Sequence, residues 1–260
     1  MASTIQVLPT EVVNLIAAGE VIDSFAAVVR ELVENSLDAG ATRIVVSLWP
    51  QRWCVSVADN GCGMTLSDLQ QAATPHSTSK IRTCNDLWKI RSLGFRGEAL
   101  HSLTTLADLE IWSRFSLSSG EEIRHYYDSS SSGWRILYNR GGEPIQVEAA
   151  AVAPGTVVSV SNLFDNWVAR RQRLPSVALQ MKAVQAMIYN IALCHPKVTW
   201  LSLQNDRAWF SLSPSTSTAQ ILAQIIPQVR PTDLEELELI LDIPDSKLHL
   251  VVGLPDRCHR

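Results

Sequence analysis

The sequence predicts an α+β fold in which a mainly antiparallel sheet is covered by a small number of helices. Three observations carry this. Two helical patterns and then two alternating segments fill the first 60 residues; strand-like runs recur after Asp108; one long amphipathic helix, 177–193, leads back into strands.

The first helix reads from Thr10 to Ala18 and stops at Gly19, which reaches a left-handed helix end without a Cβ clash. Ser24 caps the second, and Phe25, Val28, Val29, Leu32 and Val33 follow at helical spacing until Gly40. Arg43 to Trp49 and Arg52 to Ala58 alternate on either side of Pro50-Gln51, an antiparallel pair with Val55 and Val57 on one face. Residues 60–100 are rich in Gly, Ser and Thr, and a stretch of that length in a compact domain is usually functional. Strands are expected at 108–115, 122–127, 133–140 and 155–162, with a serine-rich turn at Asp128 to Gly133. Two more, 198–204 and 207–213, follow the long helix and complete one domain, 1–213. Residues 213–217 read as a linker, and a helix at 219–226 with strands at 236–242 and 247–253 begins a second unit, 214–260, too short for a core of its own.

Composition narrows the function. Lys plus Arg is 22 against Asp plus Glu at 26, so any nucleic-acid contact is local and weak, Arg170, Arg171 and Arg173 being the nearest to a basic cluster. The 5 cysteines form no C-x-x-C pair, which argues against a disulfide framework or a structural zinc site. No signal peptide and no run of 18 apolar residues is evident, giving the expectation of a cytoplasmic protein without membrane contact. Tryptophans 49, 53, 112, 134, 200 and 209 fall in strand-like runs and are expected in the core rather than stacked on bases.

On a helical wheel Glu31, Glu34, Asn35 and Asp38 share an arc of about 100° opposite the apolar face. Three acids on one stripe repel, and only Arg30, four before Glu34, is an in-helix partner; a divalent cation relieves the conflict, with Asn35 as a neutral oxygen ligand. Asp59-Asn-Gly61-Cys-Gly63-Met64 sets a carboxylate at a strand end, followed by two glycines that let a flat ligand approach the backbone. A buried carboxylate suits an exocyclic amine such as that of adenine, although the same residues also describe a plain hairpin turn. Gly94-Phe95-Arg96-Gly97 enters a helix whose free amides can hold phosphate oxygens, and Thr78-Ser79-Lys80 offers hydroxyls and an ammonium as a phosphate lid. Neither a P-loop nor a dinucleotide fingerprint is present.

Taken together, Glu31 to Asp38, Asp59-x-Gly-x-Gly63, Gly94 to Glu98 and Gly155-Thr156 resemble the ordered nucleotide-binding motifs of the GHKL ATPases. Glu34-Asn-Ser-Leu-Asp-Ala-Gly-Ala-Thr42, Thr78-Ser-Lys-Ile81 and Ser92 to Leu100 are similar to the MutL family in particular. The resemblance implies a Bergerat α/β sandwich with a mixed sheet, followed by the start of a ribosomal-S5-like domain. It implies ATP and Mg²⁺ as cofactors, Glu31 as general base, Asn35 as the metal ligand, and Asp59 as adenine reader with Thr156 supporting it through water. Asp38, Gly61, Gly63, Met64, Thr78, Ser79, Lys80, Gly94, Phe95, Arg96 and Gly97 complete the nucleotide contacts.

It further implies a homodimer on nucleotide binding, closed by an exchanged arm, Ile5 to Glu20. Partners are a mismatch-recognition protein, a downstream repair nuclease or helicase and, weakly, DNA; a bacterial member is nucleoid-associated. The chain departs from the family pattern at Ser24-Phe25, at Pro75 and at Val168, where a proline is usual. None of Lys80, Lys89, Lys182, Lys197 or Lys247 matches the lysine that the family's second domain brings to the γ-phosphate. The alternatives are a non-hydrolysing nucleotide-binding fragment, or a topoisomerase, chaperone or kinase member of the GHKL group.

Overall fold

A computed structural model describes residues 5–90, 92–94, 96–116, 132–241 and 246–255. The elements in chain order are α1 (Thr10–Val21), α2 (Phe25–Asp38), β1 (Arg43–Trp49), β2 (Cys54–Asp59), α3 (Leu66–Gln71), α4 (Ala99–Leu106), β3 (Asp108–Arg114), β4 (Gly133–Tyr138), β5 (Pro144–Ala150) and β6 (Gly155–Ser161). After these come α5 (Val168–Arg173), α6 (Val177–Cys194), β7 (Thr199–Gln204), β8 (Arg207–Leu212), α7 (Thr218–Ile225), β9 (Leu234–Ile240) and β10 (Lys247–Gly253).

Strand alternation builds one sheet with a single buried face. Among the described residues its eight strands run β5-β4-β3-β6-β2-β1-β7-β8, and every neighbouring pair is antiparallel except β1 with β7. The sheet is therefore mixed and mainly antiparallel. Ile44, Val46, Leu48, Val55, Val57, Leu109, Ile111, Ile136, Val158, Val160 and Trp200 point to one side and are buried there. Helix α2 lays Phe25, Val28, Val29, Leu32 and Val33 on that face, and α6 adds Met181, Val184, Ile188 and Ala192, giving a two-layer sandwich. Helix α6 is long and apolar enough to cross a membrane by length and composition alone, yet it runs beside α2 and contributes to the core over the sheet.

Two sequence expectations change. Helix α1 does not stop at Gly19 but continues to Val21, because Gly19 serves packing and not termination: a Cβ there would stand 2.3 Å from the Trp167 ring. Strand β5 has no counterpart among the expected strands; it lies at the sheet margin with most of its residues exposed, so no inward alternation betrays it. Of the strand tryptophans, Trp200 is fully buried, and Trp53, Trp134 and Trp209 pack against the core. The strand expected at 122–127 and the turn beginning at Asp128 lie outside the described residues, apart from Ser132 and Gly133.

The long 60–100 segment holds α3, a 3₁₀ turn at Cys84–Lys89 and the approach to α4, and otherwise irregular backbone. Past β8, α7 packs on α6 and β8 and seats Ile221 in the main core. β9 and β10 form a separate two-stranded ribbon on which Leu237, Leu239, Ile240, Leu248, Leu250 and Val252 are exposed.

Candidate functional site

The local fold brings α2 and the end of β2 together. Ser24 caps α2 by accepting from the Ala27 amide, which fixes the helix start and so the rotation that turns Glu31, Glu34, Asn35 and Asp38 away from the core. Arg30 pairs with Glu31 at 3.1 Å rather than with Glu34, its i,i+4 neighbour. Burial, reinforced by Glu31 and Asp38, pushes the Glu34 carboxyl up against the opposing pull of Arg30 and Lys80.

Ser36 lies on the opposite, apolar side of the same helix, spaced with Phe25, Val29 and Leu32, and is buried. Its hydroxyl stands 2.9 Å from Asp59 Oδ2 and 3.1 Å from the Leu32 carbonyl, so one proton faces two acceptors. Asp59 is the last residue of β2, in register with Ile44 and Thr156, and its Oδ1 accepts the Gly61 amide at 2.8 Å. Gly155 makes this possible: it sits at φ +121°, and a Cβ would meet the Asp59 carbonyl at 2.1 Å. Burial pushes the Asp59 carboxyl up, while the bonds from Gly61, Ser36 and the Thr156 backbone favour its charge.

The hydroxyl of Thr156 is engaged elsewhere. It pairs with Ser113 Oγ at 3.0 Å; Ser113 donates to the Gly155 carbonyl and accepts the Met64 amide at 2.9 Å. Sequence reading misses Ser113 and Ser36, and the same signal marks both: a hydroxyl at an inward position, after Leu109 and Ile111 on β3 and within the apolar stripe of α2. Together the two serines tie Asp59, Gly61, Gly63 and Met64 to α2, β3 and β6. Gly63 itself lies against the Arg114 carbonyl.

The residues expected to form the lid arrive on the other side of α2. Lys80 Nζ is 3.0 Å from Asn35 Oδ1 and 2.5 Å from Asp38 Oδ2, and the Leu93 and Gly94 amides donate to the Asp38 carboxylate. Thr78 Oγ1 accepts the Lys80 amide, and Ser79 lies between them in the same turn. Gly97 rests against the Ser77 backbone, joining the two lid segments, and His76 contacts Glu98, the residue preceding α4. Arg96 is exposed at this turn, and Phe95 lies outside the described residues. Glu31, Asn35, Asp38, Lys80 and Gly94 are thus assembled on α2, and Asp59, Gly61 and Thr156 are joined to that helix through Ser36. The Asn35 and Asp38 oxygens receive a cation, the Lys80 ammonium, so these oxygens fit a metal ion and the ammonium beside them fits phosphate oxygens.

Two other regions contribute less. Arg171 lies over the Trp53 ring at 4.3 Å and Arg170 over Trp167 at 5.6 Å, so two of the three clustered arginines are laid on aromatic faces of the fold. A shallow cleft lined by Arg114, Gly133 and Ala149 to Val152 contains none of the site residues. Cys54, Cys62, Cys84 and Cys194 are free thiols.

Known proteins resemble this chain in sequence and in fold. Residues 23–136 match the family described as histidine kinase-, DNA gyrase B-, and HSP90-like ATPase. Over its whole length the chain is 64% identical to the DNA mismatch repair protein MutL of Nostoc punctiforme, covering 46% of that protein. It is 53% identical to the MutL of Rippkaea orientalis, again covering 46%. The chain thus spans about half the length of these curated relatives. Among solved structures, the Aquifex aeolicus MutL ATPase domain complexed with ADP superimposes with a TM-score of 0.64 at 26% identity, over 84% of this chain and 73% of that one.

Proposed function

The chain belongs to the MutL family of DNA mismatch repair proteins and carries its GHKL ATPase fold, and from that premise we propose that it binds ATP with Mg²⁺ at the α2–β2 site and hydrolyses it. The observation that carries the proposal is the Ser36 to Asp59 contact, which joins the strand-end carboxylate to the very helix that bears Glu31 and Asn35. Asp59 accepts from the adenine amino group, and Gly61, Gly63, Met64 and Thr156 shape the pocket around the base. Asn35 holds Mg²⁺, which when bound neutralises phosphate charge. Lys80 and the Gly94 to Gly97 turn face the phosphates, with Thr78 and Ser79 beside them. Glu31 orients the attacking water and takes its proton. Phosphoryl transfer asks for positioning and charge neutralisation rather than covalent chemistry, which is what these residues supply.

At the level of the whole protein, nucleotide binding orders the lid and the Ile5 to Glu20 arm and closes a homodimer. The closed dimer acts in the cytoplasm as a matchmaker between a mismatch-recognition protein and a downstream nuclease or helicase, with weak contact to DNA and none to membranes. Residues 1–213 form the ATPase domain and 214–260 lead into the S5-like domain. The support is the family membership and the ADP complexed with the Aquifex aeolicus MutL ATPase domain.

The decisive experiment measures nucleotide binding and Mg²⁺-dependent phosphate release side by side. Asp59→Asn abolishes binding, whereas Glu31→Ala binds ATP as the wild type does and releases phosphate at least about 100-fold more slowly, the usual scale for losing a general base. Equal ATP affinity in wild type and Asp59→Asn refutes the assignment. Binding without phosphate release in the wild type leaves a nucleotide-binding switch that does not turn over by itself.

A further inference from the structure

The segment 74–98, which carries Thr78 to Lys80 and Gly94 to Gly97, leaves the body of the fold after α3 and returns to it at α4. Its two ends meet. Ala73, fully buried at the outgoing end, and His101, half-buried in the first turn of α4, are 28 residues apart in sequence, yet His101 Nδ1 stands 3.3 Å from the Ala73 carbonyl oxygen. A carbonyl only accepts, so the imidazole carries its proton on Nδ1 and donates that N–H across the junction. The turn between β4 and β5 closes on the same point. Gly142 sits there at φ +84°, and a Cβ on it would fall 2.0 Å from the Ala73 oxygen and 3.3 Å from His101 Nδ1, so the packing admits no side chain. This turn has little freedom of its own: Asn139 Oδ1 accepts the Gly141 and Glu143 amides, the Gly142 amide donates to the Asn139 carbonyl, and Tyr138 just before it donates to the Leu69 carbonyl of α3.

Ordering a segment costs conformational entropy, and the cost is smaller when its ends are already held together. We infer that His101 is a positioning residue for the nucleotide phosphates: through the Ala73 carbonyl, and backed by Gly142, it fixes the spacing of the two ends of 74–98, so that the phosphate-facing residues between them are ordered at lower cost. This rests on the nucleotide reading of the site and deepens it, by assigning part of the phosphate affinity to a junction made by none of the residues that face the ligand. The adenine end of the site is built differently. Asp59 is held by Ser36, by the Gly61 amide and by its pairing with Thr156 on β6, contacts that run through neither Ala73 nor His101. Loosening the junction therefore weakens ligands that carry phosphates and spares adenosine, which has none.

Three substitutions in the chain 1–260 separate positioning from packing. His101→Ala removes the ring, His101→Leu keeps bulk and removes the donor, and His101→Asn restores an N–H at the same place along the side chain, since Nδ2 of asparagine and Nδ1 of histidine are both bonded to Cγ. ADP binding is read by isothermal titration and adenosine binding by chemical-shift titration. His101→Ala and His101→Leu should bind ADP about three- to tenfold more weakly than wild type, the scale of one net hydrogen bond. Adenosine affinity stays at the wild-type value, and His101→Asn matches the wild type for both ligands. If His101→Ala does not fold, His101→Leu decides alone. Unchanged ADP affinity in folded His101→Leu, an equal loss of ADP and adenosine affinity, or failure of His101→Asn to restore ADP binding overturns the inference. Failure of the nucleotide reading looks different: the wild type itself then binds neither ADP nor adenosine.

Discussion

Asp59 concentrates the conflict between stability and the proposed nucleotide binding in a single side chain. Burial raises its pKa in the folded chain, with the Gly61 amide, Ser36 and the Thr156 backbone acting in the opposite sense. A carboxyl with a raised folded-state pKa favours folding most below its unfolded value, and that advantage disappears as pH rises through the folded value. At neutral pH, therefore, the ionised Asp59 is a net cost to the fold. Asp59→Asn removes the cost and also resolves the proton count at Ser36: an amide N–H donates to Ser36 Oγ, which is then free to donate to the Leu32 carbonyl. The variant should melt about 2–4 °C above wild type at pH 7.5, the shift of ~1 kcal/mol in a chain of this size, and the gain should vanish near pH 4. Thermal unfolding of both proteins across that range checks it; a variant less stable than wild type at pH 7.5 contradicts the sign. The same titration weakens nucleotide binding in the wild type as pH falls, beginning at a higher pH than an ordinary aspartate would give, which isothermal titration of ADP at several pH values can read.

At the scale of the element, α1 shows an apolar side that no described residue covers. Leu8, Val12, Val13 and Ile16 are exposed together, whereas Ala18 and Gly19 are buried and the helix packs on α4. A contiguous apolar strip on an outer helix calls for a cover, and the exchanged arm of the proposed dimer supplies one. Val13→Glu with Ile16→Glu should leave the monomer folded and nucleotide affinity within about twofold, since surface changes of this kind rarely cost more than ~0.5 kcal/mol. Sedimentation with a non-hydrolysable ATP analogue should show a dimer for the wild type and a monomer for the double variant; a dimer in both removes α1 from the interface. The existence of α1 is legible from its spacing, but its length is not. Gly19 looks like a terminator along the chain, and only the Trp167 ring, 148 residues later in sequence, explains it as a contact. Strand β5 escapes for the complementary reason, because a margin strand with exposed residues leaves no pattern for periodicity to find.

For the whole molecule, the sheet and the helices α2 and α6 can be read because one-sided burial imprints alternation on β1, β2, β3 and β6 and a 3.6-residue stripe on α2. The ordered site motifs can be read for a related reason, as Asn35 and Asp59 each sit at a position that the fold dictates. The cross-links between them cannot: Ser36 to Asp59, Ser113 to Met64 and Lys80 to Asp38 join segments 23, 49 and 42 residues apart, which no local pattern specifies. The border proposed at 213 belongs to this scale as well. Helix α7 comes after it, yet Ser217 caps that helix, Ala219 and Ile221 are buried, and Gln224 makes two hydrogen bonds back to the Ser213 backbone. Thr218 also donates to the Leu193 carbonyl at the end of α6. A chain ending at 213 therefore loses the burial of Ile221, worth about 2–3 kcal/mol, together with the bonds that close the end of α6. Residues 1–230 should melt about 5–10 °C above residues 1–213, by the same conversion of free energy to melting temperature, while both keep the Asp59 to Ser36 contact and bind ADP equally. Equal melting temperatures would assign α7 to the second unit rather than make it a clamp on the ATPase sandwich. A loss of ADP binding in the shorter chain alone would show instead that the clamp reaches the nucleotide site through α6 and α2.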